Sequence, residues 1–140
     1  MKISLTQLRP ELYLGLAQLA AQEGWEFDPT QPFNPDLSLV AVDGDRVVGF
    51  IAAWHDGHPY GWIDGFIVDR EYRGTEAAML LATTMRALLL SRGCNAIRLT
   101  VANPRLAGVL GKFGFITKEN YVVMEWRNDG TNDDGPSSSR

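Results

Sequence analysis

The tightest constraint on what this chain can become lies between residues 39 and 92, where three apolar segments, two turns and one long helical repeat follow without a break. Leu39–Val42 and Val47–Trp54 are runs of aliphatic and aromatic residues set around Asp43-Gly44, a dipeptide that favours a tight hairpin, so they predict two antiparallel strands. A second turn, Asp56-Gly57-His58-Pro59, leads into Tyr60–Val68 and predicts a third. Polar residues from Asp69 onward end that run. The helix predicted from Glu76 to Arg92 carries Leu81, Met85 and Leu88 on one face and Arg86 and Arg92 toward its C-terminus, and it stops at Gly93. A strand meander followed by a helix buries its apolar faces most simply in an α+β domain, with a mixed, mostly antiparallel central sheet flanked by helices.

The flanking segments extend that plan. Lys2-Ile3-Ser4-Leu5 alternates like a short strand, and Pro10 opens a helical stretch with Leu12, Leu16, Leu19 and Ala20 at turn spacing, ended by Gly24. Pro29, Pro32 and Pro35 break regular structure while Trp25, Phe27 and Phe33 supply anchors, which predicts a packed loop able to line a pocket. Ala96–Val101 reads as a buried strand, Asn103-Pro104 starts a shorter helix to about Phe113, Gly114 ends it, and Tyr121–Trp126 supplies a last strand. Beyond Arg127 the chain is Asn, Asp, Gly, Pro and Ser, so the expected division is a domain over residues 1–127 and a flexible polar tail over 128–140.

A chain of 140 residues with 45% hydrophobic and 21% charged content suits one core and one site. Its net charge of −4 and pI near 5.1 disfavour a surface built to hold nucleic acid or an anionic membrane. Cys94 is the single cysteine, which rules out an intrachain disulfide and a paired-cysteine metal site. The absence of a signal segment or a long apolar run gives a cytoplasmic expectation. No metal is expected at His55 and His58, which share an exposed-type turn without a third ligand.

Two segments resemble the GNAT (GCN5-related N-acetyltransferase) superfamily. Ile63-Asp64-Gly65-Phe66-Ile67-Val68-Asp69-Arg70-Glu71-Tyr72-Arg73-Gly74 is similar to that family's passage from strand to cofactor loop, commonly V-D-P-E-Y-R-G, and Asn103 to Phe115 is similar to its N…Y-E-K-L-G-F helix. Their order and separation match, and together they lie on most of residues 39–126. The resemblance implies an N-acyltransferase that moves an acetyl or other small acyl group from acetyl-CoA to a primary amine, on a small molecule or a protein, by direct attack. A catalytically inactive binding or assembly module on the same fold is the alternative. A homodimer is left open.

The implied site follows residue by residue. A strand that turns into a helix presents unpaired N–H groups and a positive dipole end to an anion such as a pyrophosphate. Here Arg73-Gly74-Thr75-Glu76-Ala77-Ala78 occupies that loop, with Glu76 where the family has its first motif glycine. A carboxylate there satisfies the helix start and repels a phosphate. Main-chain groups of Phe66, Ile67 and Val68 are expected to polarise the acyl carbonyl and pair with the pantetheine arm. Asp64 stands where many relatives carry a glutamate that draws the proton from the amine; otherwise it is a solvated or arginine-paired strand carboxylate. Leu110 holds the position of the family's frequent tyrosine acid, with Tyr60, Tyr72 and Tyr121 as substitutes, of which Tyr121 is assigned the role. Asn103 would contact the cofactor arm or cap its helix. Arg70, Arg73, Arg105 and Lys112 are the cations available for phosphates. The strand ending at Val68 is expected to splay from the strand beginning near Ala96, opening a slot for the pantetheine.

Overall fold

The computed structural model describes residues 2–25, 34–55, 57, 59–73, 76–101, 104–128 and 131. The chain divides into two compact units, residues 1–99 and 100–140. In the first, a five-stranded sheet runs β1 (Ile3–Gln7), β2 (Ser38–Asp43), β3 (Arg46–His55), β4 (Tyr60–Val68) and β5 (Ala96–Leu99), with neighbours in space in the same order as in sequence. The first four pair antiparallel, and β5 joins β4 in parallel after the crossover helix α2 (Glu76–Ser91). The expected mixed, mostly antiparallel sheet is therefore present. The β2–β3 turn is displaced by one residue from its expected centre: Asp43 pairs with Arg46, so Gly44 and Asp45 are the two turn residues, and Gly44 takes φ 62°. That positive φ is where glycine costs least.

Each face of the sheet carries a helix. On one, Ala77, Leu81, Met85 and Leu89 of α2 are fully buried against Leu39, Ala41, Val48, Ile51 and Ala53. The buried stripe thus steps by four residues and ends on Leu89, while Leu88, expected on it, packs at its margin. On the other face, α1 (Tyr13–Gln22), preceded by a 3-10 turn at Pro10–Leu12, sets Leu16, Leu19 and Ala20 against Val40, Val47, Phe50, Ala52 and Ile67. Cys94, at 1% exposure, lies in the α2 core as a small apolar residue. Gly49 makes close approach of α2 feasible, since a Cβ there would stand 2.8 Å from Leu81 Cδ1.

In the second unit α3 (Pro104–Lys112) ends in a turn at Gly114, φ 93°, with Phe115 N–H donating to Leu110 O at 3.1 Å. Two expectations need correction. Ala96–Val101 is a shorter strand, Ala96–Leu99, and it is half-buried because it lies at the sheet edge. Tyr121–Trp126 forms no strand: apolar alternation becomes a strand only where a sheet edge accepts the backbone, and the five-stranded sheet does not include this segment. Tyr121, Val122, Val123, Met124 and Trp126 are instead exposed. Among the described residues no helix is long and apolar enough to cross a membrane.

Candidate active site

The site begins with a fault in β4. Ala52 pairs with Gly65 and Ala53 with Ile63, so Asp64 is an extra residue opposite the Ala52–Ala53 step, a β-bulge. A bulge of this kind re-aims its side chain and breaks the ladder locally. The opposite edge of β4 opens at the same place, because β5 pairs only with Tyr60 through Ile63 and leaves Asp64 to Val68 without a strand partner on that side among the described residues. The open edge arises because β5 ends at Leu99, paired along its whole length, rather than by the expected divergence of two longer strands. Backbone alternation identifies the groups it exposes. Asp69 N–H donates to Val48 O at 2.8 Å, so by the two-residue period the main-chain groups of Ile67 and Gly65 also face β3, while those of Phe66 and Val68 face the open edge. Ile67 is thus turned away from the role expected of its backbone; its side chain packs under α1.

Asp64 is exposed at the bulge. Partial desolvation beside the neighbouring rings raises its pKa above the ordinary aspartate value. The shift gives this carboxylate more basicity than an ordinary aspartate. Gly65, next in the chain, makes room for the Trp25 ring: a Cβ there would come within 2.8 Å of Trp25 Cη2. Trp25 in turn tilts against Phe50, ring centroids 6.0 Å apart.

The turn after Val68 is held from three sides. Buried Asp69 accepts from Glu71 N–H at 2.9 Å and from the Arg46 guanidinium at 2.8 Å. Desolvation pushes its pKa up, but the Glu71 N–H and Arg46 prevail and hold it below the ordinary value. Tyr72 is buried and donates its hydroxyl to Asp43 at 2.8 Å, which raises its own pKa and commits it to the fold. Glu23, at the end of α1, accepts from Arg70 at 3.3 Å and from Arg73, whose Nε also donates to Val68 O at 3.3 Å. Arg73 therefore enters the site as a cation already shared with Glu23. Nothing in the sequence spacing announces Glu23, which lies 50 residues from Arg73.

Glu76 is exposed in the first turn of α2, followed by fully buried Ala77 and partly buried Ala78, which pack the helix start onto the sheet. Gly74, Thr75 and Asn103 lie outside the described residues. So do Asp56 and His58 of the second turn and residues 26–33 of the proline-rich loop. In the second unit, Arg105 and Lys112 are exposed on α3, Leu110 is buried at 2% exposure as a core residue, and Tyr121 is exposed at 59%. A cavity of about 160 Å³ lined by Gln18, Gln22, Asp45, Arg46 and Asp69 sits near the β2–β3 turn, away from the bulge. The bulge chemistry does not use it.

Comparison with known proteins finds a family model that matches most of the chain. The model of the acetyltransferase (GNAT) family covers residues 6–115. Acetyltransferase SG1711 of Sodalis glossinidius (strain morsitans) is 31% identical over 93 residues, and the match spans 65% of this chain and 65% of that protein's length. Among solved structures, the GNAT-family acetyltransferase SP0256 of Streptococcus pneumoniae TIGR4 superposes with a TM-score of 0.71 at 20% identity, covering 91% of this chain and 98% of that one. Glucosamine-6-phosphate N-acetyltransferase of Arabidopsis thaliana does so with a TM-score of 0.69 at 14% identity, covering 92% and 100%. The aminoglycoside N-acetyltransferase AAC(6')-Iy in complex with CoA gives 0.68 at 18%, covering 89% and 99%. With a family model matched over more than half of its length, the bulged β4 and the open edge beside it belong to a member of the acetyltransferase (GNAT) family.

Proposed function

We propose that this chain is an N-acyltransferase that moves an acetyl or other small acyl group from acyl-CoA to a primary amine by direct attack. The observation that carries the reading is the junction in β4, where a carboxylate of raised pKa at the bulge adjoins a stretch of backbone, Phe66 to Val68, that has no strand partner on its outer side among the described residues, with Val68 O taken by Arg73 Nε. The open edge offers alternating N–H and C=O groups to an extended amide-bearing arm, so the residues present fit pantetheine. Bound acyl-CoA supplies an activated thioester carbonyl. Asp64 accepts the proton from the attacking amine, and a main-chain N–H at Phe66 or Val68 steadies negative charge on the acyl oxygen. A thiol with an ordinary pKa near 8.5 departs as thiolate without an obligatory acid, so Leu110 in place of a tyrosine does not stop the reaction. Tyr121 remains the proposed proton donor where one is used, with Asn103 and Arg105 as cofactor contacts. The acceptor is an amine-bearing small molecule or protein, and the cytoplasm is the proposed compartment.

One observation favours the alternative of a non-catalytic module: Glu76 puts a negative charge in the first turn of α2, where phosphate binding calls for none. Calorimetric titration with acetyl-CoA and CoA, followed by thiol release with a panel of amines, separates the two. Saturable binding with amine-dependent thiol release supports the enzyme. Absence of binding at millimolar CoA would remove it.

A further inference from the structure

The face of the sheet that holds α1 continues past the end of that helix as an aromatic surface. Phe50, Ala52 and Trp54 alternate on β3; Phe50 is sealed under α1, whereas Trp54 is 41% exposed. Trp54 pairs directly with Trp62 of β4, and their rings stack with centroids 5.7 Å apart and planes 8° from parallel. Trp62 is the register partner of Arg98 on β5, whose guanidinium lies 4.0 Å from the centroid of Tyr60 and 5.6 Å from that of Trp62. The Trp62 indole N–H is a buried donor that meets no acceptor among the described residues. Contacts to its ring faces, from Trp54 and Arg98, therefore hold that ring. Asp64, two residues beyond Trp62 on the same strand, closes the end of this surface nearest the bulge. None of these residues except Tyr60 and Asp64 was singled out by the sequence reading.

We infer that this Trp54–Trp62 face beside Asp64 is the acceptor subsite, and that it selects primary amines carried on a flat apolar body over polyhydroxylated amines. The inference rests on the acyltransferase reading, because it seats the amine at the same carboxylate that takes its proton. The charge argument fixes the orientation: an ammonium is drawn to Asp64, and an indole face also attracts a cation and stacks on a planar group. The lining fixes the class. The exposed body of the surface is the stacked indole pair, continued by the Tyr60 ring under Arg98, so an acceptor's body meets chiefly aromatic faces. An acceptor with many hydroxyls would lose its water there without replacement, which penalises it against an apolar body of equal size.

The test uses the intact protein without CoA, reading intrinsic tryptophan fluorescence during titration with phenethylamine and, in parallel, with glucosamine. Phenethylamine is expected to quench saturably and to bind at least about ten-fold more tightly than glucosamine, the factor that one to two lost hydrogen bonds produce. Trp54→Ala should abolish that preference. Trp54→Leu, which keeps apolar bulk in case alanine unfolds the edge of the sheet, should weaken phenethylamine at least several-fold through loss of the planar face. Equal affinity for the two amines, or a preference unchanged in Trp54→Leu, overturns the inference even if acetyl-CoA turnover is robust. The acyltransferase reading fails separately: without acetyl-CoA binding by calorimetry it is lost, whereas the fluorescence preference would still mark this face as an amine site.

Discussion

Glu76→Gly tests whether the carboxylate at the start of α2 weakens an otherwise intact anion site. Glu76 is the first residue of a 16-residue helix, so its N–H has no intrahelical acceptor and the substitution breaks no hydrogen bond of the ladder. Two costs to the protein follow. Losing a negative charge from the first turn forfeits about 0.3–1 kcal/mol of dipole interaction, at the low end because the side chain is exposed. Glycine adds backbone freedom worth up to about 1 kcal/mol, again less at a terminus than in mid-helix. The sum, about 1 kcal/mol, corresponds to a fall of roughly 3–5 °C in Tm for a chain of this size. Toward CoA the sign reverses. Two unit charges held about 6 Å apart at an effective dielectric near 40 repel by about 1.4 kcal/mol, and exposure with salt screening halves that or more. Removing the carboxylate should then tighten CoA by up to about three-fold, measured by calorimetry, and the gain should shrink as salt is added. Thermal unfolding without ligand supplies the stability arm. A variant that loses stability and binds CoA no better than the parent would refute the reasoning, since Glu76 would then direct its charge away from the phosphates.

Other expectations follow from the same geometry. Gly65→Ala places a methyl 2.8 Å from the rigid Trp25 ring, an overpacking cost of about 1–3 kcal/mol in denaturant unfolding; a change under 0.5 kcal/mol, by the same principle, would mean that the ring shifts freely. Asp64→Asn should lower kcat more than acetyl-CoA affinity and flatten the acid limb of the pH profile, because ionised Asp64 is lost as pH falls through its raised pKa. Equal losses in turnover and affinity would point to a structural carboxylate instead. Asp69 acts on stability in the opposite sense: its folded pKa is depressed, so its contribution is present above the ordinary aspartate value and lost as pH falls through the folded one. Asp69→Asn should therefore reduce the pH dependence of stability on the acid side, seen as a smaller drop in Tm between neutral and acid buffer. An unchanged slope would show that other carboxylates govern acid unfolding.

Much of this protein is determined by local sequence. Short apolar runs bounded by turn residues define β2, β3 and β4, apolar residues at helical spacing such as Leu81 and Met85 define α2, and Gly24, Gly93 and Gly114 stop helices at positive φ. These are near-neighbour effects, readable wherever backbone preference and hydrophobic period agree. The tertiary structure alone decided what pairs at a distance. Only the register between β3 and β4 makes Asp64 a bulge residue, because one extra residue in a ladder has no local signature. Long-range charge pairing commits Arg73 and Arg70 to Glu23, and cross-strand placement stacks Trp54 on Trp62 under Arg98. The same logic explains the missing strand at Tyr121–Trp126: alternation describes what a segment can pair with, whereas a strand exists only where another edge accepts its backbone.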